Sequence, residues 1–212
     1  MRLLLIRHGE TSANAEGRLQ GHQDYSLSDR GRRDGALLAD RLSQVAIEVL
    51  YASPLKRASE TAEIVARRIR LPVEERPDLM ERDVGELGGL TREEIRARFP
   101  DYVRERASGN ATVTVPGFES DGDFIERVRR GVGEIIEDPA HQTVAVVTHG
   151  GVIGAVVRET LRMPAVRPSQ FDIANASITI IEVLDGEFDA RARPRVRLIS
   201  LNDTCHLDGV AR

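Results

Sequence analysis

The stretch Leu3-Leu4-Leu5-Ile6-Arg7-His8-Gly9-Glu10-Thr11 sets the frame for reading this chain. A short continuous apolar run reads as a strand buried on both faces, and this one ends in a guanidinium, an imidazole and a turn-forming glycine. Open α/β sheets collect their ligands at that end of their strands. A histidine there can serve as nucleophile, general base or metal ligand. The adjacent arginine favours an anion, phosphate above all, because its planar fork matches two oxygens at once. Taken alone, Arg7–Thr11 balances evenly between such a site and an ordinary strand end with a solvated arginine.

Outward from this stretch, Val45–Ala52, Thr143–Thr148, Ser177–Leu184 and Arg195–Leu201 join Leu3–Ile6 as predicted strands. Helical spacing lies between them. Gly35–Leu42 sets Leu38 and Leu42 on one face, and Leu55, Ala58, Ala62, Val65 and Ile69 step by three and four. Ser53-Pro54 predicts the start of that second helix, with a hydroxyl N-cap and proline at the first helical position. Phe124, Val128, Val132 and Ile135 form a third stripe, and Val152, Val156 and Leu161 contribute to a fourth. Strands alternating with helices predict an α/β fold, with a mostly parallel central sheet flanked by helices on both faces. Pro77 to about Gly122 breaks the rhythm with Gly85, Gly88, Gly89, Gly109, Pro116 and Gly117, around a short helix whose Thr91 and Glu94 suit a capping box. This predicts a cap inserted over the site, within a single domain spanning residues 1–212; the alternative is a long surface excursion.

The 212 residues suit one good core. Net charge is −4, with 30 Lys and Arg dispersed among 34 Asp and Glu, so no basic stripe of the kind nucleic-acid binders carry is present. The single Cys205 excludes an intramolecular disulfide and a multi-cysteine zinc site, and its place late in the chain argues against a catalytic thiol. No apolar stretch approaches membrane length. The expectation is a cytoplasmic protein with no nucleic-acid or membrane partner.

A second strand-end histidine stands in Thr148-His149-Gly150-Gly151, after Val144-Ala145-Val146-Val147 and before a helix. Glycines let backbone amides approach an anion, and a helix N-terminus offers free N–H groups. A third strand end, Ala52-Ser53-Pro54-Leu55-Lys56-Arg57-Ala58, carries Arg57 into the first turn of a helix, where the dipole disfavours a cation. For Arg57 alone, a solvated surface residue is the simpler account.

Together these pieces resemble the histidine phosphatase superfamily, which includes cofactor-dependent phosphoglycerate mutases and small-molecule phosphatases. The resemblance covers nearly the whole chain. It is carried by Arg7-His8-Gly9-Glu10-Thr11 with Asn14, Gly17-Arg18-Leu19-Gln20-Gly21, Asp24 to Leu27-Ser28 with Gly31, and Ser53-Pro54-Leu55-Lys56-Arg57-Ala58 with Thr61-Ala62. Glu81 followed by Gly85, His149-Gly150-Gly151, Asn175-Ala176-Ser177, and Asn202-Asp203-Thr204 with His206-Leu207 continue it.

The resemblance implies His8 as a nucleophile that carries the phosphoryl group, with Arg7, Arg57 and His149 around the equatorial oxygens and Glu81 as acid and then base. Asp83 and Glu86 are alternative acids. Asn14, Gln20, Gly21, Thr11 and Gly150 are the implied substrate-binding residues. His22 falls in a loop where the family contacts substrate, with a solvated loop histidine as the equal alternative; His141 and His206 have weaker claims. No cofactor and no metal are implied, since His8, His149 and Glu81 lack local ligand spacing. The implied partner is a small phosphorylated substrate, and the family suggests a homodimer.

The implied activity is a metal-independent phosphomonoesterase. Its alternatives are mutase-type transfer between positions of a sugar acid, and a non-catalytic phosphate- or phosphoprotein-binding module. Family mutases are longer, with extra segments and a tail that shield the site; here Gly209-Val210-Ala211-Arg212 follows soon after the last predicted strand, so water is the expected acceptor. The chain has no Trp, Ala13 stands two places after Thr11, and Leu87-Gly88 follows Gly85-Glu86, all departures from the family's aromatic positions. The shape of the leaving-group pocket is therefore not carried over. Arg82, Arg92, Arg104 and Arg106 are candidates either for an acidic substrate or for a solvated face.

Overall fold

The structure, a computed structural model, describes residues 1–108, 115–138, 140–163, 171–188 and 194–208. Six strands form one sheet: β1 (Arg2–Arg7), β2 (Val49–Ala52), β3 (Val73–Glu75), β4 (Thr143–Thr148), β5 (Ile178–Phe188) and β6 (Pro194–Asp203), in the order β3-β2-β4-β1-β5-β6. β1 pairs parallel with β4, and β2 parallel with both β4 and β3. β5 runs antiparallel to β1, and β6 antiparallel to β5. The sheet is thus mostly parallel, with an antiparallel hairpin at one side.

β1 is apolar throughout its middle because both its faces are covered, and its side chains alternate between them. Leu3 and Leu5 enter one core with α6 (Asp121–Glu137) and α7 (Gly150–Thr160), through Phe124, Val128, Val132, Ile135, Val152, Ile153 and Val156. Leu4 and Ile6 enter the other with α2 (Asp29–Leu42) and α3 (Lys56–Ile69), through Leu38, Leu42, Ala58, Ala62 and Val65. Among the described residues, no helix is long and apolar enough to cross a membrane.

Several local expectations are corrected. β3 went unread because three residues with one apolar side chain carry no periodic signal. Only Val49–Ala52 of Val45–Ala52 is strand; Val45 and Ile47 pack against the core from the turn that follows α2. Ser53 does not cap α3: the helix begins at Lys56 with Leu55 at the N-cap, and Ser53 Oγ instead accepts the Leu55 N–H at 3.3 Å. Leu161 lies just past the end of α7 and is exposed, so it adds nothing to that helix's buried stripe.

In the segment 77–122, Thr91 and Glu94 form the expected capping box at the start of α4 (Arg92–Arg98), but a second helix, α5 (Pro100–Ala107), follows. Val84, Leu87 and Val115 make a small core there with Ile95, Phe99, Tyr102 and Phe118. Gly109 lies outside the described residues, as does the 209–212 tail.

Two glycines let the chain beyond β1 settle on α2. A Cβ at Gly31 would lie 2.1 Å from the Glu10 carbonyl oxygen, and one at Gly9 would lie 2.7 Å from the Gly31 oxygen. Neither neighbour is a flexible side-chain end, so backbone would have to move. Gly31→Ala is expected to cost about 1–3 kcal/mol, as overpacking does, read as a lower urea midpoint at unchanged m-value. An unchanged midpoint would show that this close approach is not required.

Candidate active site

The strand register brings three chain segments together. Arg7 pairs with Thr148 and Ala52 with Val147, so β1, β4 and β2 end level with one another, and the next residues are His8, His149 and Ser53. The His8 N–H continues the ladder to the Thr148 carbonyl at 2.9 Å, and the Ser53 N–H to the Val147 carbonyl at 2.9 Å.

His8 is buried, and its Nδ1 lies 2.7 Å from the Gly9 carbonyl. A carbonyl can only accept, so Nδ1 carries the proton and Nε2 keeps its lone pair. Nε2 receives the Arg57 Nε–H at 3.3 Å. Burial first, then the Arg57 and Arg7 charges, hold the His8 pKa well below the ordinary histidine value, so the ring is neutral.

The His149 ring lies 5.2 Å from that of His8, centroid to centroid, and is fully buried. Its pKa is likewise held well down, by burial and then by Arg57. Its Nε2 meets Ser53 Oγ at 2.8 Å, while its Nδ1 has no hydrogen-bond partner among the described residues. Ser53 Oγ already accepts from Leu55, so its own proton is available to His149 Nε2. That tautomer leaves Nδ1–H as a donor.

The arginines are held by main-chain carbonyls. Arg57 is 1% exposed and donates through Nη2 to the Gly21 carbonyl at 2.8 Å and through Nη1 to the Gln23 carbonyl at 3.0 Å. Burial lowers its pKa to about 10, which leaves it cationic at neutral pH. These bonds offset the unfavourable dipole of the first turn, so Arg57 is not a solvated surface residue. Arg7 donates through Nη1 to the Ile173 carbonyl, and its Nε is buried without a partner among the described residues. A Cβ on Gly150 would stand 3.6 Å from that Nε, so the first turn of α7 runs directly past the guanidinium.

Glu81 reaches the same place from the 77–122 segment. Its Oε2 accepts the Gly151 N–H at 3.0 Å, and its Oε1 accepts the Arg82 N–H at 2.9 Å. A Cβ on Gly151 would sit 2.1 Å from Oε1, so a glycine is needed for this approach. Asp83 is engaged elsewhere: Oδ1 takes the Gly85 N–H at 2.9 Å and Oδ2 lies 3.5 Å from His22 Nδ1. Glu86 is exposed. Of the three carboxylates, Glu81 alone meets α7. His22 is bonded through Nε2 to the Glu81 carbonyl at 2.7 Å, so it is not a merely solvated loop residue.

Asn14 sits in the single-turn α1 (Ser12–Ala15), where its Oδ1 accepts from Thr11 N, Thr11 Oγ1 and Asn175 Nδ2 at 3.0–3.3 Å. Thr11 is fully buried, and its hydroxyl serves the capping box of α1 and the buried Gln20 Oε1 at 3.1 Å. Thr11 therefore bonds Asn14 directly, and Gln20 bonds Thr11. Gly21 takes φ +53°, and its carbonyl is the one that holds Arg57.

Asn175 and Ser53 are the residues whose part the sequence reading missed. Asn175 Nδ2 lies 3.0 Å from the His8 carbonyl and 3.3 Å from that of Gly9, holding the main chain under the imidazole. Its motif was visible only as a strand boundary, and Ser53 resembled a helix cap. Of the remaining histidines, His206 bonds the Ala176 carbonyl at 3.0 Å, and His141 stands 3.8 Å from Glu48 at the other end of the sheet. Arg82 and Arg106 both meet Asp121, Arg104 meets Asp101, and Arg92 is exposed.

Two cations, two neutral imidazoles and one carboxylate surround a single place at the sheet's carboxyl edge. Such a set can bind a dianion, attack it with a nitrogen lone pair and move a proton nearby. Among the described residues, no group of three His, Cys, Asp or Glu side chains is placed to hold a metal ion.

Residues 3–193 match the family described as "Histidine phosphatase superfamily (branch 1)". Phosphoserine phosphatase 1 of Hydrogenobacter thermophilus is 32% identical over 207 residues, covering 98% of this chain and 94% of that protein. Phosphoglycerate mutase-like protein 4 of Arabidopsis thaliana is 36% identical over 188 residues, covering 87% and 80%. The structure of a mycobacterial glucosyl-3-phosphoglycerate phosphatase complexed with VO3 superposes with a TM-score of 0.81 at 31% identity, covering 95% of this chain and 98% of that one.

Because the His8 and His149 pKa values are lowered in the folded state, the unfolded chain binds more protons below about pH 6.5, the ordinary histidine value. Stability contributed by the two neutral rings is complete above that pH. It falls as pH drops toward the lowered folded values, by up to about 1.4 kcal/mol per pH unit for each histidine. Urea unfolding between pH 7.5 and 5 should show this slope, and His8→Asn should reduce it by one histidine's share. An unchanged slope in His8→Asn would contradict a neutral His8.

Proposed function

Because the chain belongs to the histidine phosphatase superfamily and is a phosphoric monoester hydrolase, we propose that it hydrolyses a small phosphorylated metabolite, without a metal ion, through a phosphohistidine on His8. The observation that carries this reading is the buried neutral imidazole of His8, with Nδ1–H held by the Gly9 carbonyl and the Nε2 lone pair turned toward Arg57.

In the first step that lone pair attacks phosphorus in line with the ester oxygen. The N–P bond forms, the P–O ester bond breaks, and the departing oxygen takes the electron pair together with a proton from Glu81. The Gly9 carbonyl stabilises the positive charge that grows on the ring. Arg57 Nε–H passes from His8 to a phosphoryl oxygen, while Arg7 Nε–H, His149 Nδ1–H and the Asn14 amide face the other equatorial oxygens.

In the second step Glu81, now a carboxylate, removes a proton from water as that oxygen attacks phosphorus. The N–P pair returns to His8 Nε2 and inorganic phosphate leaves. One displacement thus becomes two, each without a metal. The 77–122 segment, which supplies Glu81, is the cap over the leaving group.

The relatives include proteins named as phosphatases and one named as mutase-like, and the hydrolase and mutase readings of this chain differ in what receives the phosphoryl group. We read water as the acceptor here. In EDTA the protein should release p-nitrophenol from p-nitrophenyl phosphate, and His8→Ala should be slower by on the order of 10³-fold or more. A rapid quench should give acid-labile, base-stable label on His8, accumulating in Glu81→Gln. Absence of that label would overturn the covalent route. With 3-phosphoglycerate and a trace of 2,3-bisphosphoglycerate, rapid isomerisation with little free phosphate would make the protein a mutase.

A further inference from the structure

We propose that Arg127, paired with Glu119, is a positioning residue that sets the place of the Glu81 carboxyl; this rests on Glu81 acting as the acid and base of the reaction. Arg127 lies on α6, outside the group of residues that surrounds His8, and its side chain is 15% exposed. Its Nη1 donates to the carbonyls of Asp78 at 3.0 Å and Met80 at 2.8 Å. Its Nη2 donates to the Glu81 carbonyl at 3.2 Å and to Glu119 Oε2 at 2.7 Å, and its Nε donates to Glu119 Oε1 at 2.8 Å.

All five N–H groups of the guanidinium are therefore engaged, three of them on the main chain that carries Glu81. Glu119 completes the grip. Its Oε2 accepts the Asp83 N–H at 3.2 Å, and its own N–H donates to the Asp83 carbonyl at 2.9 Å. The remaining carbonyl of the run, Leu79, accepts Thr148 Oγ1–H at 2.7 Å, which ties the same stretch to the strand end beside His149.

Residues 80–83 belong to neither helix nor strand, and Val84 makes only an isolated antiparallel bridge to Phe118, so no continuous ladder fixes the backbone around Glu81. The ion pair supplies what a ladder would, and only an arginine fork can reach three carbonyls and both oxygens of a carboxylate together. Arg7 and Arg57 contrast with it, because each keeps an N–H facing the other site groups. Arg127 has none to give to a ligand, so its influence on the chemistry runs through Glu81.

An acid is needed most when the leaving oxygen is a poor leaving group. A misplaced Glu81 should therefore harm hydrolysis of an alkyl ester such as glycerol 3-phosphate far more than that of p-nitrophenyl phosphate, whose nitrophenolate departs with little protonation. Arg127→Met should lower kcat/KM for glycerol 3-phosphate, which reports expulsion of the leaving oxygen and not the later attack of water common to both esters, by about 10²-fold, the effect of displacing a catalytic group by about 1 Å. The same variant should lower kcat/KM for p-nitrophenyl phosphate by less than about tenfold. Arg127→Lys should fall between wild type and Arg127→Met, and in a Glu81→Gln background Arg127→Met should add less than about threefold.

Equal losses of kcat/KM on both esters in Arg127→Met would overturn the proposal and leave Arg127 a structural residue. If Glu81→Gln itself shows no difference between the two esters, the assignment of Glu81 as the acid fails, whatever Arg127 does. If Arg127→Met does not fold, the same ratio measured in Glu119→Gln decides: selective loss on the alkyl ester supports the clamp, and equal loss refutes it.

Discussion

Parallel pairing of β1 with β4, and of β4 with β2, is the constraint from which the rest of the molecule follows. With Arg7 opposite Thr148 and Ala52 opposite Val147, three strands run out at one level, and His8, His149 and Ser53 emerge beside each other from segments far apart in the chain. A slip by one residue would turn Leu3 and Leu5 toward the helices that now receive Leu4 and Ile6, and would also swap the faces on which the two imidazoles emerge. The two cores therefore hold the site's geometry by holding the register. Gly9 and Gly31, which let the chain after His8 lie directly on α2, extend that precision past the end of the strand.

Electrostatics then divide the arginines into two kinds. Arg57 is buried and Arg7 half-buried, and their terminal nitrogens donate to carbonyls, which satisfy donors without cancelling charge. Their positive field remains for an anion, and the same field, with burial, keeps both imidazoles neutral. Arg127 is neutralised by Glu119 and its donors go to the loop backbone, which suits it to holding Glu81 in place but not to holding phosphate. Glu81 reaches the same centre from the 77–122 segment, where the Gly151 N–H in the first turn of α7 meets its Oε2.

Much of this was legible in advance, for physical reasons. Strands covered on both faces must be apolar throughout, so β1 and β4 announced themselves, and helices with one buried stripe showed it at Ala58, Ala62 and Val65 and at Phe124, Val128 and Val132. The strand-end positions of His8, Arg57 and His149 followed from where those runs stop. β3 stayed hidden because a short edge strand with one apolar residue has no pattern, and α5 because half-buried residues on a small core leave only a faint stripe. Ser53 was misread since Ser-Pro before a helix has the same appearance whether the hydroxyl caps the helix or serves a histidine 96 positions away.

The sequence alone therefore determined the α/β class, the strands that end in histidines or lead to a buried arginine, and the residue types gathered there, because these are written in local periodicity and in the chemistry of single side chains. The tertiary structure decided which atoms face which. It alone set the Nδ1–H tautomer of His8 through the Gly9 carbonyl, brought the Glu81 side chain to the first turn of α7, joined Thr11 to Gln20, and brought Asn175 beneath the backbone of His8. Each of these is a hydrogen bond, and those of Glu81 and Asn175 join segments far apart in the chain. Directional contacts within about 3 Å depend on how the segments pack, which no local pattern records.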